Sequence, residues 1–184
     1  MAIVNGTNSG FVTTAPTSDP AGALNYATDV RVFAIKDDAP ATAATITEIG
    51  WWCDNATEEA NFEVGIYAHD SVNNRPDGLL AGASQTNAKG TGAGWKTATV
   101  NISVTAGTTY WIAYQLDDTA TATNSDYTVD AAEQRDFKTV TTMPATWGVS
   151  DGTAGRIIPV YAVWTGVPPV AIKAVMRPGK YWGN

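Results

Sequence analysis

The sequence is poor in the residues that usually carry catalysis or covalent cross-links. Its 184 residues include one cysteine and one histidine, and only 16% of the chain is charged. A single cysteine excludes a disulfide within the chain. Cys53 follows Trp51 and Trp52 in a strand-like run, which indicates a small core side chain rather than a catalytic thiol. Because an average globular chain is roughly 25% charged, the surface must consist largely of Thr, Ser, Asn, Gly and Ala.

Long apolar runs are also missing, and the first residues do not resemble a secretion signal. No stretch approaches the roughly 20 apolar residues of a membrane-spanning helix, so no membrane span is expected. Residues 1–8 contain neither a basic n-region nor an apolar h-region, so we expect no signal peptide.

The charge is unevenly distributed. A net charge of −7 and a pI near 4.5 disfavour a nucleic-acid partner, because phosphates repel an acidic surface. Residues 165–184 nevertheless contain Lys173, Arg177 and Lys180 and no acid, so this end carries +3 and residues 1–164 carry −10. This basic tail on an acidic body predicts a contact with an acidic neighbouring subunit. A tail that merely adds solubility is the alternative.

Alternating side chains define the middle of the chain. Residues 94–116 give a strand, a turn at 105–107 and a second strand, one face of which holds Tyr110, Ile112, Tyr114 and Leu116. Similar alternation at 29–36, 45–53, 62–68 and 158–164, without a helical period, predicts about eight or nine strands. The expected fold is all-β: an antiparallel two-sheet β-sandwich of jelly-roll type. We expect one domain over 1–166, with 1–28 as a wrapping N-terminal segment and 167–184 as the basic tail.

Several runs within residues 29–116 resemble a known class of module. They are Ile46–Trp51, Phe62–Tyr67, Gly78–Ala81, Gly94–Trp95 and Val104–Trp111. Their order is similar to that in jelly-roll modules of bacterial extracellular and phage proteins, of the DUF4082 type or carbohydrate-binding-module-like. The resemblance implies a β-sandwich and no shared catalytic motif, and residues 117–156 have no counterpart in it.

Candidate catalytic groups are few. His69 precedes Asp70, but neighbouring side chains of an extended chain point to opposite faces and pair poorly. No nucleophile elbow of the G-x-S-x-G type is present. Paired carboxylates for glycoside hydrolysis could come from the acidic loops, but their separation in space does not follow from the sequence. We therefore predict no catalytic residues.

Acidic loops offer candidate calcium ligands, because Ca²⁺ prefers oxygen donors. The site predicted here, and the one possible cofactor, is a structural Ca²⁺ held by Asp117, Asp118, Asp126 and Asp130. A second candidate set is Asp54, Asn55, Glu58 and Glu59. Neither set has the EF-hand spacing, and ordinary acidic turns of an acidic chain are the alternative.

Aromatic residues in polar or loop-like surroundings are candidate sugar-binding groups, because a sugar ring packs its C–H face on an aromatic ring. The candidates are Trp52, Tyr127, Phe137 and Trp147. Trp95 and Trp111 could serve instead, and packing between the sheets is the alternative for each. Trp147 is the strongest candidate because it lies in the loop-like run 144–148.

The module resembles proteins that act outside cells, whereas we expect no secretion signal at the start of this sequence. A virion protein made in the host cytoplasm and released by lysis satisfies both observations. We therefore predict a non-enzymatic structural or attachment protein of a bacteriophage-like particle: a capsid decoration or tail-associated subunit that binds other protein subunits or its own copies. Its predicted subunit contacts are Lys173, Arg177, Lys180, Tyr181 and Trp182. A stand-alone extracellular carbohydrate-binding module, with surface polysaccharide as partner, is the alternative.

Overall fold

The computed structural model describes residues 1–21, 24–28, 30–54, 61–85, 92–117 and 124–166. Every helix or strand assigned in these ranges is a β-strand, which confirms the predicted all-β class. These ranges contain thirteen strands rather than eight or nine: β1 Gly10–Val12, β2 Leu24–Ala27, β3 Arg31–Asp38, β4 Ala43–Cys53, β5 Phe62–Asp70, β6 Arg75–Gln85, β7 Gly94–Ser103, β8 Thr109–Leu116, β9 Asn124–Val129, β10 Arg135–Thr139, β11 Gly152–Ala154, β12 Arg156–Ile157 and β13 Val160–Gly166.

The strands form two large sheets and one small sheet. The four-stranded sheet has the order β1-β13-β4-β7, the six-stranded sheet β11-β10-β3-β8-β5-β6, and the small sheet β12-β9-β2. With β2 and β9 to β12 set aside, eight strands remain. Numbered along the chain, they run 1-8-3-6 in one sheet and 2-7-4-5 in the other, which is the jelly-roll order. The predicted β-sandwich is thereby confirmed.

One pairing departs from the predicted antiparallel arrangement. β1 runs parallel to β13, with Gly10 opposite Tyr161 and Val12 opposite Val163. The Ser9 hydroxyl holds β1 in this pairing by donating to the Ile158 carbonyl over 2.7 Å.

The main core lies between the two large sheets. β8 shows the predicted alternation: Tyr110, Ile112, Tyr114 and Leu116 all belong to this core. Trp51 of β4 stacks on Tyr114 of β8 across the sandwich, with ring centroids 4.7 Å apart and planes 3° from parallel. Such a pair joins the two sheets through a large buried area.

Residues 117–159 are inserted between the last two strands of the jelly roll. The described part of this insertion contains four strands. β10 and β11 extend the six-stranded sheet, and β9 and β12 form the small sheet with β2. Residues 140–151, hereafter the covering loop, pack against the outer face of the six-stranded sheet.

Candidate functional site

Three aromatic rings meet on the outer face of the four-stranded sheet. The Trp95 ring lies edge-on to Trp52 at 5.5 Å and to Tyr161 at 5.1 Å. Tyr161 covers Gly50 so closely that a Cβ there would lie 2.6 Å from the ring. The N-terminal segment adjoins this group, because the Trp95 indole donates to the Ser18 carbonyl over 3.0 Å. Ser18, in the segment that the sequence predicts to wrap the domain, therefore contacts the sheet's aromatic face.

Trp52 is thus not the open platform that the sugar-binding prediction needs: only 7% of it is exposed. Beside it, the Tyr161 hydroxyl donates to a carboxylate oxygen of Glu48 over 2.6 Å. Burial, followed by this hydrogen bond, raises the pKa of Tyr161 above its ordinary value. The phenol therefore stays protonated and acts as a hydrogen-bond donor.

Trp147, the strongest sugar-binding candidate, lies in a loop as predicted but is not accessible to a ligand. Its side chain is 1% exposed and belongs to a second apolar cluster on the outer face of the six-stranded sheet. Its ring lies edge-on to Tyr67 at 5.0 Å, and its indole donates to a carboxylate oxygen of Asp136 over 3.2 Å. The ring is buried because the covering loop folds it down onto the sheet.

Further hydrogen bonds hold the covering loop in place. Tyr67 donates its hydroxyl to the Pro144 carbonyl over 2.7 Å, and the Gln115 amide donates to the Val140 carbonyl over 3.1 Å. Ser150 donates to the second carboxylate oxygen of Asp136 over 2.6 Å. Burial is the main cause that raises the pKa of Asp136, and these hydrogen bonds oppose it. Asp136 therefore anchors the loop at two points.

Arginine side chains flank the other two aromatic candidates, which are half-buried. The guanidinium of Arg156 lies 4.3 Å from the centre of the Tyr127 ring. Phe137 packs on Phe33 at 5.7 Å, and the Arg135 guanidinium lies 4.9 Å from its centre. These are cation–π distances, so part of each ring surface is already engaged. A sugar-binding role for Tyr127 and Phe137 stays a prediction.

The three described calcium-ligand candidates of the first set, Asp117, Asp126 and Asp130, do not come together. Within the described residues no group of three acidic, histidine or cysteine side chains is placed to hold a metal ion. Asp117 accepts from the Asn61 amide over 3.0 Å, Asp126 is buried in β9, and Asp130 accepts from the Ala132 backbone over 3.0 Å. Asp118 lies outside the described residues, as do Asn55, Glu58 and Glu59 of the second set.

His69 and Asp70 have separate partners, as their adjacency on a strand predicts. The Trp111 indole donates to Nδ1 of His69 over 3.0 Å. Asp70 accepts from the backbone of Val72 and Asn73 in the following turn, and forms an ion pair with Arg75 at 3.3 Å. The Asn73 hydrogen bonds are the main cause that lowers the pKa of Asp70. The two side chains therefore do not form a catalytic pair.

A pair of carboxylates that the sequence analysis missed joins the N-terminal loop to the body. The Asn5 amide donates to Asp37 over 3.3 Å and to Glu133 over 3.5 Å. The second Asp37 oxygen accepts from the Phe11 backbone over 2.8 Å. Burial is the main cause that raises the pKa of both acids, and the negative charge of Asp37 raises the pKa of Glu133 further. Because the two acids lie 96 residues apart in the sequence, no local pattern could indicate this pair.

A cleft at one end of the sandwich, hereafter the end cleft, was also missed. It has a volume of about 470 Å³ and is lined by Ala68, His69, Leu80, Thr108, Thr109 and Tyr110. A β-bulge shapes it: pairing of β5 with β6 jumps from Ala81 to Leu79, and Leu80 is 48% exposed. The only sequence signal is that the short apolar run 79–81 fails to alternate.

The predicted subunit contacts Lys173, Arg177, Lys180, Tyr181 and Trp182 lie outside the described residues. Among the described residues no helix is long and apolar enough to cross a membrane. No protein-family model matches the chain, and no curated protein or solved structure is significantly similar to it. The resemblance to extracellular and phage modules therefore stays a prediction.

Proposed function

We propose that this chain is a non-enzymatic structural or attachment subunit of a bacteriophage-like particle, either a capsid decoration or a tail-associated protein, that works in the virion. The observation that carries the proposal is the use of aromatic residues on both outer faces of the sandwich. Trp95 contacts the N-terminal segment on one face, and Trp147 fastens the covering loop on the other. A jelly roll with segments packed on both faces is a rigid module, as a particle subunit must be.

The polar groups support the same proposal. Asp136, Glu48 and Asp37 each accept hydrogen bonds that hold a neighbouring strand or segment. An active site instead combines reactive groups in a concave site that a substrate can enter. These carboxylates, which could serve as acids or bases, therefore act here as hydrogen-bond acceptors that hold strands and segments together. Jelly rolls also recur in viral capsid proteins, although a shared fold alone does not establish a function.

Subunit contact through the basic tail is tested by its charge. The triple variant Lys173→Ala, Arg177→Ala and Lys180→Ala removes all three tail cations. We expect the full chain to form a multimer by multi-angle light scattering and the triple variant to dissociate, with Lys138→Ala as a control that removes a cation from the body. Deleting 167–184 should have the same effect as the triple variant. An unchanged mass in both tail variants would contradict the docking role of the tail.

A stand-alone carbohydrate-binding module is the second candidate, and the end cleft favours it. Its volume lies within the roughly 300–1,000 Å³ typical of ligand pockets. This alternative predicts a monomer that binds an insoluble polysaccharide saturably. A multimer without any polysaccharide binding would favour the purely structural role.

A further inference from the structure

The end cleft combines polar hydrogen-bonding groups with an apolar wall. His69, Thr108 and Thr109 provide the polar side chains, and Ala68 and Leu80 provide apolar surface. A sugar ring presents both hydroxyl groups and C–H faces, so it needs this combination in one place. The lining residues belong to the ends of β5 and β8, the bulge of β6 and the turn before β8, which places the cleft at an end of the rigid sandwich.

The hydrogen bond between Trp111 and His69 fixes the orientation of the imidazole. An indole N–H can only donate, so Nδ1 of His69 is the acceptor. Nε2 is therefore the ring nitrogen that His69 can offer to a ligand as a hydrogen-bond donor. Trp111 itself is fully buried, so the donor is held on a rigid support.

Thr109 has a complementary role. Its hydroxyl donates to Asp38 over 2.6 Å, which leaves the Thr109 oxygen available as an acceptor for a ligand hydroxyl. The side chains of the cleft thus provide a donor at His69 and an acceptor at Thr109.

The charge around the cleft selects against anions. The lining residues include no acid, lysine or arginine. The carboxylate of Asp38 contacts Thr109. Its negative charge repels acidic sugars and phosphorylated ligands.

We propose that the end cleft binds a neutral sugar unit of a surface glycan, with His69 and Thr109 bonding its hydroxyl groups and Leu80 packing on its C–H face. The inference rests on the proposed attachment role, because it supplies the ligand class for attachment. The two proposals fail separately. Light scattering tests assembly whether or not sugar binds, and sugar binding can be measured on a monomer or a multimer.

The test is a titration of the full chain with glucose, galactose, mannose and N-acetylglucosamine, with glucuronate as the charged comparison. The indole N–H of Trp111 reports on the site, since it is bonded to His69. We expect at least one neutral sugar to shift the Trp111 indole signal saturably in ¹H–¹⁵N NMR spectra, and glucuronate to leave it unchanged.

Two variants of the β5–β6 hairpin make the test specific. Leu80→Asp places a charge on the wall of the cleft, and we expect sugar affinity to fall about tenfold or more. Val72→Asp adds the same charge at a residue that is 89% exposed and does not line the cleft, so affinity should stay within about twofold. Both positions are exposed, so neither change threatens the core. Absence of a saturable shift with every neutral sugar, an equal response to glucuronate, or equal losses in the two variants would overturn the proposal.

Discussion

Replacing Trp147 tests whether the covering loop is part of the stable structure. The ring is 1% exposed, so folding removes nearly all of its surface from water. A tryptophan buries about 150–250 Å², which at about 25 cal/mol per Å² corresponds to about 4–6 kcal/mol. Because the unfolded chain already shields part of this surface, we expect Trp147→Ala to cost about 3–5 kcal/mol.

Trp147→Phe separates the hydrogen bond from the packing. Phenylalanine keeps most of the apolar contact with Tyr67 but leaves one Asp136 oxygen without its indole donor. A buried acceptor that loses its partner costs about 1–3 kcal/mol. Trp95→Phe is the matched control, because Trp95 is half-buried and donates to an exposed carbonyl; it should cost about 1 kcal/mol or less.

Urea unfolding followed by far-ultraviolet circular dichroism measures all three variants, since that signal comes mainly from the β-sheet backbone and the midpoint and slope of each transition are compared with the parent. A loss below about 1 kcal/mol for Trp147→Ala would refute the reasoning, because it would mean that the loop detaches from the sheet at little cost. Proteolysis at Lys138, which precedes the covering loop, then separates local detachment from global unfolding.

Two other perturbations concern the N-terminal junction. Gly10 has φ +72°, and a Cβ there would lie 1.8 Å from Oδ1 of Asn5. Gly107 has φ +69° with open space around it. Gly107→Ala should therefore cost only the backbone strain, about 1–2 kcal/mol of unfolding free energy. Gly10→Ala should cost about 1–3 kcal/mol more, because the new Cβ also clashes with Asn5. Equal losses of stability in chemical denaturation would contradict the close contact. For the carboxylates, Glu133→Gln removes a group whose folded pKa is raised above its ordinary value of 4.5. A raised pKa means that the folded state binds more protons, so the stability from this group is present below pH 4.5 and is lost as pH rises through the raised folded pKa. The stability of the variant should fall less steeply with pH over that interval than the stability of the parent. The Oε1 atom of the new glutamine can still accept from Asn5, and Asp37 is unchanged in both proteins. Parallel curves of stability against pH would show that the titration of Glu133 does not couple to folding.

Local alternation in the sequence predicted strands and the face on which their side chains lie. The alternation in β8 identified a strand with two distinct faces, and Tyr110 to Leu116 lie as expected. The pattern could not show that Trp111, on the opposite face, is also fully buried. That burial depends on the covering loop, whose residues follow almost thirty positions later and read as a polar loop.

The candidate site was harder to predict because its contacts also join residues that lie far apart in the sequence. The buried indole of Trp147 has Asp136 as its hydrogen-bond partner, and no spacing rule links a loop tryptophan to a strand carboxylate. The parallel direction of β1 depends on its pairing with β13, which lies about 150 residues later in the sequence. The end cleft arises from one bulged residue, Leu80, and bulges shift register without a strong sequence signal.

The pairing of β1 with β13 also has a consequence for how the chain folds. Gly10 pairs with Tyr161, and β13 lies between β1 and β4 in the four-stranded sheet. During synthesis that sheet cannot close until nearly the whole domain has left the ribosome, because its second strand is made last. Until then β4 presents an unpaired edge, which is the kind of surface that promotes aggregation. Contacts between such distant residues slow folding, so the chain should fold slowly and need protection at this edge until β13 arrives.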